Sequence, residues 1–305
     1  MSTILEVLVN GLSFGAVYAL VALGLALVYK ATRILNFAQG EFGTVPAWIA
    51  YVVMTGFQID GDPVIHRGRL WLATLIAIAV GALMGVLVNT LVIRRLASVS
   101  PVTSLVATAG VMTFLIAMQV IIFDPKGRRF PRYIDGGFHM PGTDVIVAWQ
   151  NVLIIIVLAA AAALLALLFR TPPGVALLAT AQEPFAAELQ GVSVSAMRTL
   201  AWATAGALGA IAGMLGAGVF SSTFSPGLMT ATFLIPAFVG AVLGGIASMV
   251  GAVAGGLILG ITVAAANQIV RTWNLDVPGP PHLAVFLVLL IVLMLRPTGL
   301  FGQEA

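Results

Sequence analysis

The sequence predicts an all-α membrane protein: a polytopic bundle of about eight to nine transmembrane helices in a single transmembrane domain over residues 1–305. Apolar residues make up 60% of the 305, charged residues only 8%, and the mean hydropathy is +1.10. A soluble domain of this length has a far more polar composition. The few charges also cluster between long uncharged stretches, and a helix needs about 20 apolar residues to cross the hydrocarbon.

Seven uncharged stretches account for the predicted helices. In chain order they are residues 7–29, 42–59, 70–93, 96–123, 145–169, 199–270 and 277–295. The sixth has room for three crossings, with one loop at 221–227 and another near Ser248, which brings the total to nine. The stretch 42–59 is the weakest candidate for a full crossing. The last helix, centred on residues 283–295, is short for a crossing and must also include neighbours such as Pro281 and His282.

Two features of these stretches predict a tight bundle that surrounds a path. Pro46 and Pro236 each free a backbone carbonyl inside an apolar stretch, which predicts broken or re-entrant segments beside a cavity. Glycines spaced four apart let helix backbones approach closely, and bundle packing is the simplest role for each pair. These pairs are Gly81 and Gly85, Gly209 and Gly213, Gly240 and Gly244, Gly251 and Gly255, and Gly256 and Gly260.

The placement of basic residues predicts an orientation. Lys30 and Arg33 follow the first stretch and no basic residue precedes it, which places the N-terminus outside and, after nine crossings, the C-terminus in the cytoplasm. The absence of positive charge ahead of this stretch is unlike a secretory signal peptide, so we expect the first helix to be retained. Charge alone does not decide the side of residues 124–148, because the helix count puts a basic loop outside: Lys126, Arg128, Arg129 and Arg132.

The sequence carries no arrangement of residues typical of an enzyme. Cysteine is absent and the three histidines are far apart, which argues against disulfides and metal sites. Neither Lys30 nor Lys126 is followed by serine or threonine, as a Walker A loop requires. We therefore expect no catalytic residue, metal or cofactor in this chain, and ATP hydrolysis would fall to a partner. Ion-coupled carriers usually rely on ionisable groups within their spans. The only candidate here is Glu41, at a segment boundary, which weakens that function.

Polar residues interrupt the chain directly after the first stretch. In ILNFAQGE, residues 34–41, Asn36, Gln39 and Glu41 form either a solvated turn or polar chemistry held at membrane depth. Tyr18 and Asn89 lie inside apolar stretches, where such residues either face a polar lumen or form an interhelical hydrogen bond, which is the simpler role.

Residues 175–191 read VALLATAQEPFAAELQG. This segment is rich in alanine and leucine but contains Glu183 and Glu188, so it is too apolar for a flexible linker and too charged for a span. It predicts a short amphipathic helix that docks on another protein. Gly191 suits the end of that helix, because glycine adopts the left-handed conformation at low cost.

Four motifs in order resemble one family. They are NGLSFGAVYALVALGLALVY with NFAQGE, then GVALLATAQEPFAAELQGVSV, then AFVGAVLGGIASMVGAVAGGLILG, and the terminal RPTGLFG. Together they resemble the LivH-type permeases of ABC importers for branched-chain amino acids. The resemblance covers nearly the whole chain and implies a multi-pass permease subunit of the bacterial inner membrane. It also implies four partners: a second, related permease, two ATP-binding subunits and a periplasmic solute-binding protein.

The resemblance leaves the solute open and assigns further roles. The equivalent segment in ABC importers of related architecture resembles a broken helix near the translocation path, so Asn36, Gln39 and Glu41 are expected to line or gate that path. Tyr18 and Asn89 are expected on the same path. Branched-chain amino acids are the first expected solutes, and urea, other amides or aromatic acids are the alternatives. Outside the family, the alternative function is an autonomous ion-coupled carrier or channel. Residues 174–195 resemble the cytoplasmic coupling segment that docks on the ATPase, and the residues expected at that contact are Glu183, Ala187, Glu188, Gly191 and Val192.

This sequence also departs from the family pattern. Val175 and Leu178 stand where the family commonly has arginines, so we expect a more apolar docking contact. Gln39 replaces a common histidine, so no imidazole acts at that point. The basic loop of Lys126, Arg128, Arg129 and Arg132 is expected to steer an acidic binding protein, because exposed charges raise encounter rates at low salt.

Overall fold

A computed structural model describes residues 2–56, 58, 64–96, 99–123, 125–140, 143, 145–219, 224–274, 276, 278–296 and 298–301. Helices dominate this part of the chain. They are α1 (Ser2–Thr32), α2 (Glu41–Met54), α3 (Leu70–Leu91), α4 (Pro101–Phe123), α5 (Trp149–Leu168), α6 (Pro172–Gln182), α7 (Pro184–Leu189), α8 (Val194–Val219), α9 (Ile235–Gly244), α10 (Met249–Thr272) and α11 (Pro280–Leu295). A hairpin of two short antiparallel strands, β1 (Gly137–His139) and β2 (Ile146–Ala148), is the one element that the all-α prediction did not contain.

The predicted number of membrane helices is confirmed within the described residues. Six helices, α1, α3, α4, α5, α8 and α10, are long and apolar enough to cross a membrane, and α2, α9 and α11 are shorter apolar helices. The 14 residues of α2 span only about 21 Å at 1.5 Å per residue, less than the hydrocarbon thickness of about 30 Å. The predicted turn near Ser248 separates α9 from α10. Residues 221–223 of the other predicted loop, 221–227, lie outside the described residues.

The centre of the bundle is α1. Its residues from Ala16 to Val28 are almost all buried, and it packs against α10, α8, α5 and α9. A helix that is apolar on every side is stable in this position because no face needs water. Two aromatic residues mark the second layer, where Phe42 of α2 meets Trp202 of α8 with their ring centroids 6.3 Å apart.

The spaced glycines lie at helix crossings, as predicted. Gly81 and Gly85 of α3 face the backbone of α8, and Gly209 and Gly213 of α8 face α2. The remaining pairs join α9 to α10 and α10 to α1. At these positions an added Cβ would meet the backbone of the neighbouring helix: Gly81, Gly85, Gly213, Gly244, Gly251, Gly255, Gly256 and Gly260.

Loop contacts define the two ends of the bundle. At one end the Lys30 ammonium lies 5.3 Å from the centroid of the Phe169 ring, so α1 and α5 finish together, and the coupling segment follows directly. We call this the coupling end. At the opposite end, where α1 and α5 begin, Arg67 forms an ion pair with Asp135 and donates to the Arg132 carbonyl oxygen at 2.8 Å. We call this the hairpin end.

Candidate functional site

After α1 the chain turns back into the bundle as an extended stretch. Arg33 has a positive φ of 58°, Asn36 is extended, and a single 3₁₀ turn, Phe37–Gln39, precedes α2. The Asn36 side chain accepts a hydrogen bond from the Ala38 amide at 3.1 Å and donates to Gln39 Oε1 at 3.1 Å. Gln39 Nε2 in turn donates to the Ala205 carbonyl oxygen at 2.9 Å, in the middle of α8.

These side chains are sealed inside the protein. Asn36, Gln39 and Glu41 each have 0% exposure. The Gln39 amide lies against Gly24 of α1, where any Cβ would overlap it. The stretch is therefore a buried polar segment inside the helix bundle and not a solvated turn.

Glu41 joins three elements. Thr230 Oγ1 donates to its carboxylate at 2.6 Å, and Gln119 Nε2 of α4 donates to its second oxygen. Nearby, the Met229 amide donates to Thr44 Oγ1 at 3.2 Å. Within the described residues no basic side chain forms an ion pair with Glu41. A carboxyl group at this depth, held only by hydroxyl and amide donors, marks a functional site by default.

The residue that donates to Glu41 begins a π-helical turn, Thr230–Leu234, which runs directly into α9. Pro236 explains this turn, because it has no N–H for the carbonyl oxygen of Thr232 and so loosens the regular ladder. Such π-turns recur at functional sites. Pro46, the other predicted breaker, lies inside α2 without ending it.

A cavity of about 250 Å³ opens beside this polar segment, between α1, α4, the π-turn and α9. Asn36 and Thr230 are the polar residues of its lining, and their side-chain polar groups are already hydrogen-bonded within the protein. The other lining residues are apolar: Leu25, Leu35, Phe37, Met112, Leu234, Ile235 and Phe238. Small-molecule sites are lined mostly by apolar side chains, so this cavity suits a small aliphatic group.

Of the five predicted path residues, only Asn36 lines this cavity. Gln39 and Glu41 lie in the buried polar network next to it, and Tyr18 and Asn89 lie elsewhere. The Tyr18 ring packs edge-on against Phe233 at a centroid distance of 5.7 Å. Asn89 Nδ2 donates to Thr199 Oγ1 at 2.9 Å and so links α3 to α8. Neither side chain lines the cavity. For Asn89 the geometry matches the simpler role, an interhelical hydrogen bond.

Sequence reasoning also missed Thr44 and Thr230, which belong to the same polar network. Threonine is common in apolar helices, where its hydroxyl bonds to the preceding turn, so residue type alone gives no signal. The available signal for Thr230 was Pro236, which marks a local break in the helix ladder six residues later.

The coupling segment forms two helices where one was predicted. The break falls at Glu183, whose φ of −135° and ψ of 84° are not helical, because a proline disfavours the helical conformation in the residue before it and Pro184 follows. Gly191 then ends α7 with a φ of +79°. The Val192 amide donates to the Ala187 carbonyl oxygen at 3.0 Å and the Gly191 amide to that of Glu188 at 2.9 Å, a Schellman closure.

The exposed surface of this segment is apolar at its tip. Phe185 and Leu189 of α7 are 73% and 72% exposed, whereas Ala187 is buried against its own chain. Glu183, Glu188 and Gly191 are exposed and Val192 is half-buried. Ala187, which was assigned to the ATPase contact, is therefore buried under α7 and does not reach the surface. The large apolar side chains that α7 exposes are Phe185 and Leu189.

The basic loop lies at the hairpin end. Lys126, Arg129 and Arg132 are exposed, and Arg128 is half-buried. The backbone of Arg128 exchanges two 2.7 Å hydrogen bonds with Phe224, which ties this loop to the chain between α8 and the π-turn.

Comparisons with known proteins agree over nearly the full length. The family model described as "Branched-chain amino acid transport system / permease component" matches residues 7–295. The chain is 30% identical to the high-affinity branched-chain amino acid transport system permease protein BraD of Pseudomonas aeruginosa, covering 98% of this chain and 96% of the relative. It is 28% identical to the corresponding protein LivH of Escherichia coli K12, with the same coverage.

Among solved structures, PsaBC from Streptococcus pneumoniae in complex with Fab is similar with a TM-score of 0.49 and 14% identity, covering 95% of this chain and 91% of that one. The family match and the two relatives agree with the resemblance of the four sequence motifs. The chain is a multi-pass membrane protein that belongs to the branched-chain amino acid transport system permease family.

Proposed function

We propose that this chain is a permease subunit of an ABC importer that moves branched-chain amino acids across the bacterial inner membrane. The observation that carries this proposal is the family match over residues 7–295 on a bundle that holds a buried polar segment beside a solute-sized cavity. A second, related permease, two ATP-binding subunits and a periplasmic solute-binding protein complete the transporter. ATP hydrolysis belongs to the ATP-binding subunits.

In this mechanism, Asn36 lies at the wall of the transport path, and Gln39 and Glu41 hold that wall in place from the buried polar network and act as its gate. The Thr230–Glu41 hydrogen bond couples the π-turn to α2, so a shift of α9 changes the wall of the cavity. ATP-dependent closure of the partner subunits presses on α7 and favours the outward-open bundle. Hydrolysis reverses this, because a ligand shifts a two-state equilibrium only by its difference in affinity for the two states.

Uptake of radiolabelled leucine into proteoliposomes that contain the complete transporter tests this function. We expect accumulation that needs both internal ATP and the binding protein. Stimulation of ATP hydrolysis by the binding protein without leucine uptake would keep the importer and change the solute, with urea, other amides and aromatic acids as the next substrates to try. Solute movement by this chain alone would contradict the proposal in favour of an autonomous carrier or channel.

The proposed orientation places the coupling end in the cytoplasm and the N-terminus in the periplasm. Because the chain has no cysteine, single substitutions Thr3→Cys and Gln190→Cys report on the two ends without background. Both residues are exposed. In intact cells with a permeabilised outer membrane, an impermeant maleimide should label the first and spare the second. Labelling of the second alone would reverse the orientation.

The apolar tip of α7 is expected to carry the ATPase contact. Replacing Phe185 and Leu189 together by serine removes two large side chains that are mostly exposed. Truncating a hot-spot side chain of an interface lowers the binding free energy by at least about 2 kcal/mol. We therefore expect the ATP hydrolysis stimulated by the binding protein to fall more than tenfold, while the amount of transporter in the membrane stays the same. The matched control is Phe301→Ser, which removes an exposed aromatic side chain at the same end of the bundle but outside the coupling segment. Equal stimulation in both variants would remove α7 from the contact.

The basic loop is expected to speed capture of the binding protein. Lys126→Glu with Arg129→Glu should slow uptake at low salt, and the defect should shrink as salt rises, because the Debye length falls from about 30 Å at 0.01 M to about 8 Å at 0.15 M. The control keeps the charge, with Lys126→Arg and Arg129→Lys. A defect that does not depend on salt would argue for a structural role of this loop.

A further inference from the structure

A second cavity, of about 410 Å³, lies at the hairpin end, where α1 and α5 begin and α10 ends. It has no contact with the cavity beside Asn36, since the two share no lining residue. Glu6 of α1 and Arg271 of α10 supply a carboxylate and a guanidinium to its wall. Asn10, Asn267 and Gln268 add three amides.

The two charges face the same space without neutralising each other. Within the described residues the only ion pair joins Arg67 to Asp135, so Glu6 and Arg271 are more than 4.0 Å apart. A gap between opposite charges in one cavity leaves room for a ligand that carries both signs itself. Arginine binds carboxylates through two parallel N–H donors, and a carboxylate accepts the N–H groups of an ammonium.

The rest of the wall suits an aliphatic group. Val7, Phe14 and Ala264 line the same cavity. The charges of Glu6 and Arg271 cancel, so the wall has no net charge. A cationic ligand is attracted by Glu6 but repelled by Arg271, and an anionic ligand is attracted by Arg271 but repelled by Glu6. A zwitterion with a short apolar side chain satisfies both charges and covers the apolar wall. The volume falls within the range usual for small-molecule sites.

We infer that this cavity is a binding site for a small zwitterion, in which Arg271 binds the oxyanion and Glu6 the ammonium. Two sources share this chemistry: a free α-amino acid, or the ethanolamine phosphate head group of a lipid. We favour the free amino acid, because the cavity lies at the end of the bundle that carries the basic loop, where the binding protein would release its solute. That choice of source rests on the proposed function; the charge chemistry does not.

A simpler explanation of the two charges is stabilisation of their helices. Arg271 lies in the last turn of α10, where a cation interacts favourably with the helix dipole, and Glu6 lies near the start of α1. This explanation predicts that their removal lowers stability without changing which ligand binds. The test therefore measures ligand preference, which helix stabilisation does not move.

The experiment uses the full chain assembled with its permease and ATP-binding partners in nanodiscs of phosphatidylglycerol, without binding protein or nucleotide. Radiolabelled leucine is the probe. Two competitors each lack one charge: 3-methylbutylamine has no carboxylate and 4-methylpentanoate has no ammonium. We expect leucine to outcompete both. Arg271→Gln should weaken leucine binding more than tenfold and bring it level with 3-methylbutylamine, whereas Glu6→Gln should bring it level with 4-methylpentanoate.

Two controls complete the design. Asp276→Asn changes an exposed charge near the same end and should leave the preference for leucine intact. Nanodiscs that contain phosphatidylethanolamine distinguish the sources: loss of leucine binding there, with lipid retention that depends on Arg271, assigns the site to the head group. If neither variant changes the order of the three ligands and neither reduces lipid retention, the inference is wrong. Intact ATP-dependent uptake in that case would leave the proposed function standing.

Discussion

Replacing Gly213 by valine is expected to prevent the chain from forming a stable bundle. Gly213 of α8 lies directly against the backbone of Gly43 in α2, where an added Cβ would overlap the carbonyl group. Overpacking a protein interior costs about 1–3 kcal/mol when side chains can move aside. At Gly213 the obstacle is the backbone of Gly43, which cannot move aside, so α8 and α2 must separate. We therefore expect the free energy of unfolding to fall by more than that range. Total stabilities are only about 5–15 kcal/mol.

The measurement is the yield of monodisperse protein after detergent extraction, together with its thermal unfolding temperature. The matched control is Gly110→Val, the same change in an exposed position of α4 where nothing lies within 4 Å of the new Cβ. A variant at Gly213 that is as abundant and as stable as the one at Gly110 would contradict the close crossing of α2 and α8.

The same crossing positions the candidate site. Gly209, one turn before Gly213, brings α8 against Phe42, the residue after Glu41, and against the Gln39 amide. Small residues on α8 therefore allow the short helix α2 to lie close enough for its first residue, Glu41, to bond to Thr230 of the π-turn beside the cavity. The glycine spacing was visible in the sequence, but the partner of each pair was not, because spacing alone does not say which helix faces which.

Sequence reasoning reached the helices because their signal is local. An apolar stretch of sufficient length must cross the membrane as a helix, since every backbone group needs an internal partner there. The break in the coupling segment was equally local, and Pro184 explains it. The hairpin near His139 was not predicted because each of its two strands has only three residues. Such a length is too short to show the alternation of apolar and polar residues that indicates a strand.

The site was only half accessible from sequence. The cluster of Asn36, Gln39 and Glu41 stands out as polar residues after an apolar stretch, but their partners are distant. Gln119 is 78 positions away from Glu41, and Thr230 is 189 positions away. Tyr18 is predicted on the path because it carries a hydroxyl group inside an apolar stretch, but its ring is buried in the core and packs against Phe233. Such contacts depend on tertiary geometry, which composition and periodicity do not contain.

Replacing Glu41 by alanine is expected to reduce ATP-dependent uptake more than tenfold while membrane abundance stays close to that of the unchanged protein. The carboxylate accepts hydrogen bonds from Thr230 and Gln119, and its loss leaves buried donors without an acceptor, at about 1–3 kcal/mol each. The bundle survives because glycine crossings hold α2 in place. The wall of the cavity, however, loses its link between α2, α4 and the π-turn.

Two further variants separate transport from general damage. Asn89→Ala removes a single interhelical hydrogen bond, from Asn89 to Thr199, away from the cavity; such bonds average about 0.6 kcal/mol in membrane proteins, so uptake should stay near normal. Glu41→Gln keeps the size of the side chain and accepts from Thr230, but its new amide opposes the Gln119 amide as donor against donor. Rescue should therefore be partial. Normal uptake in Glu41→Ala, or equal losses in Glu41→Ala and Asn89→Ala, would place the transport path elsewhere in the bundle.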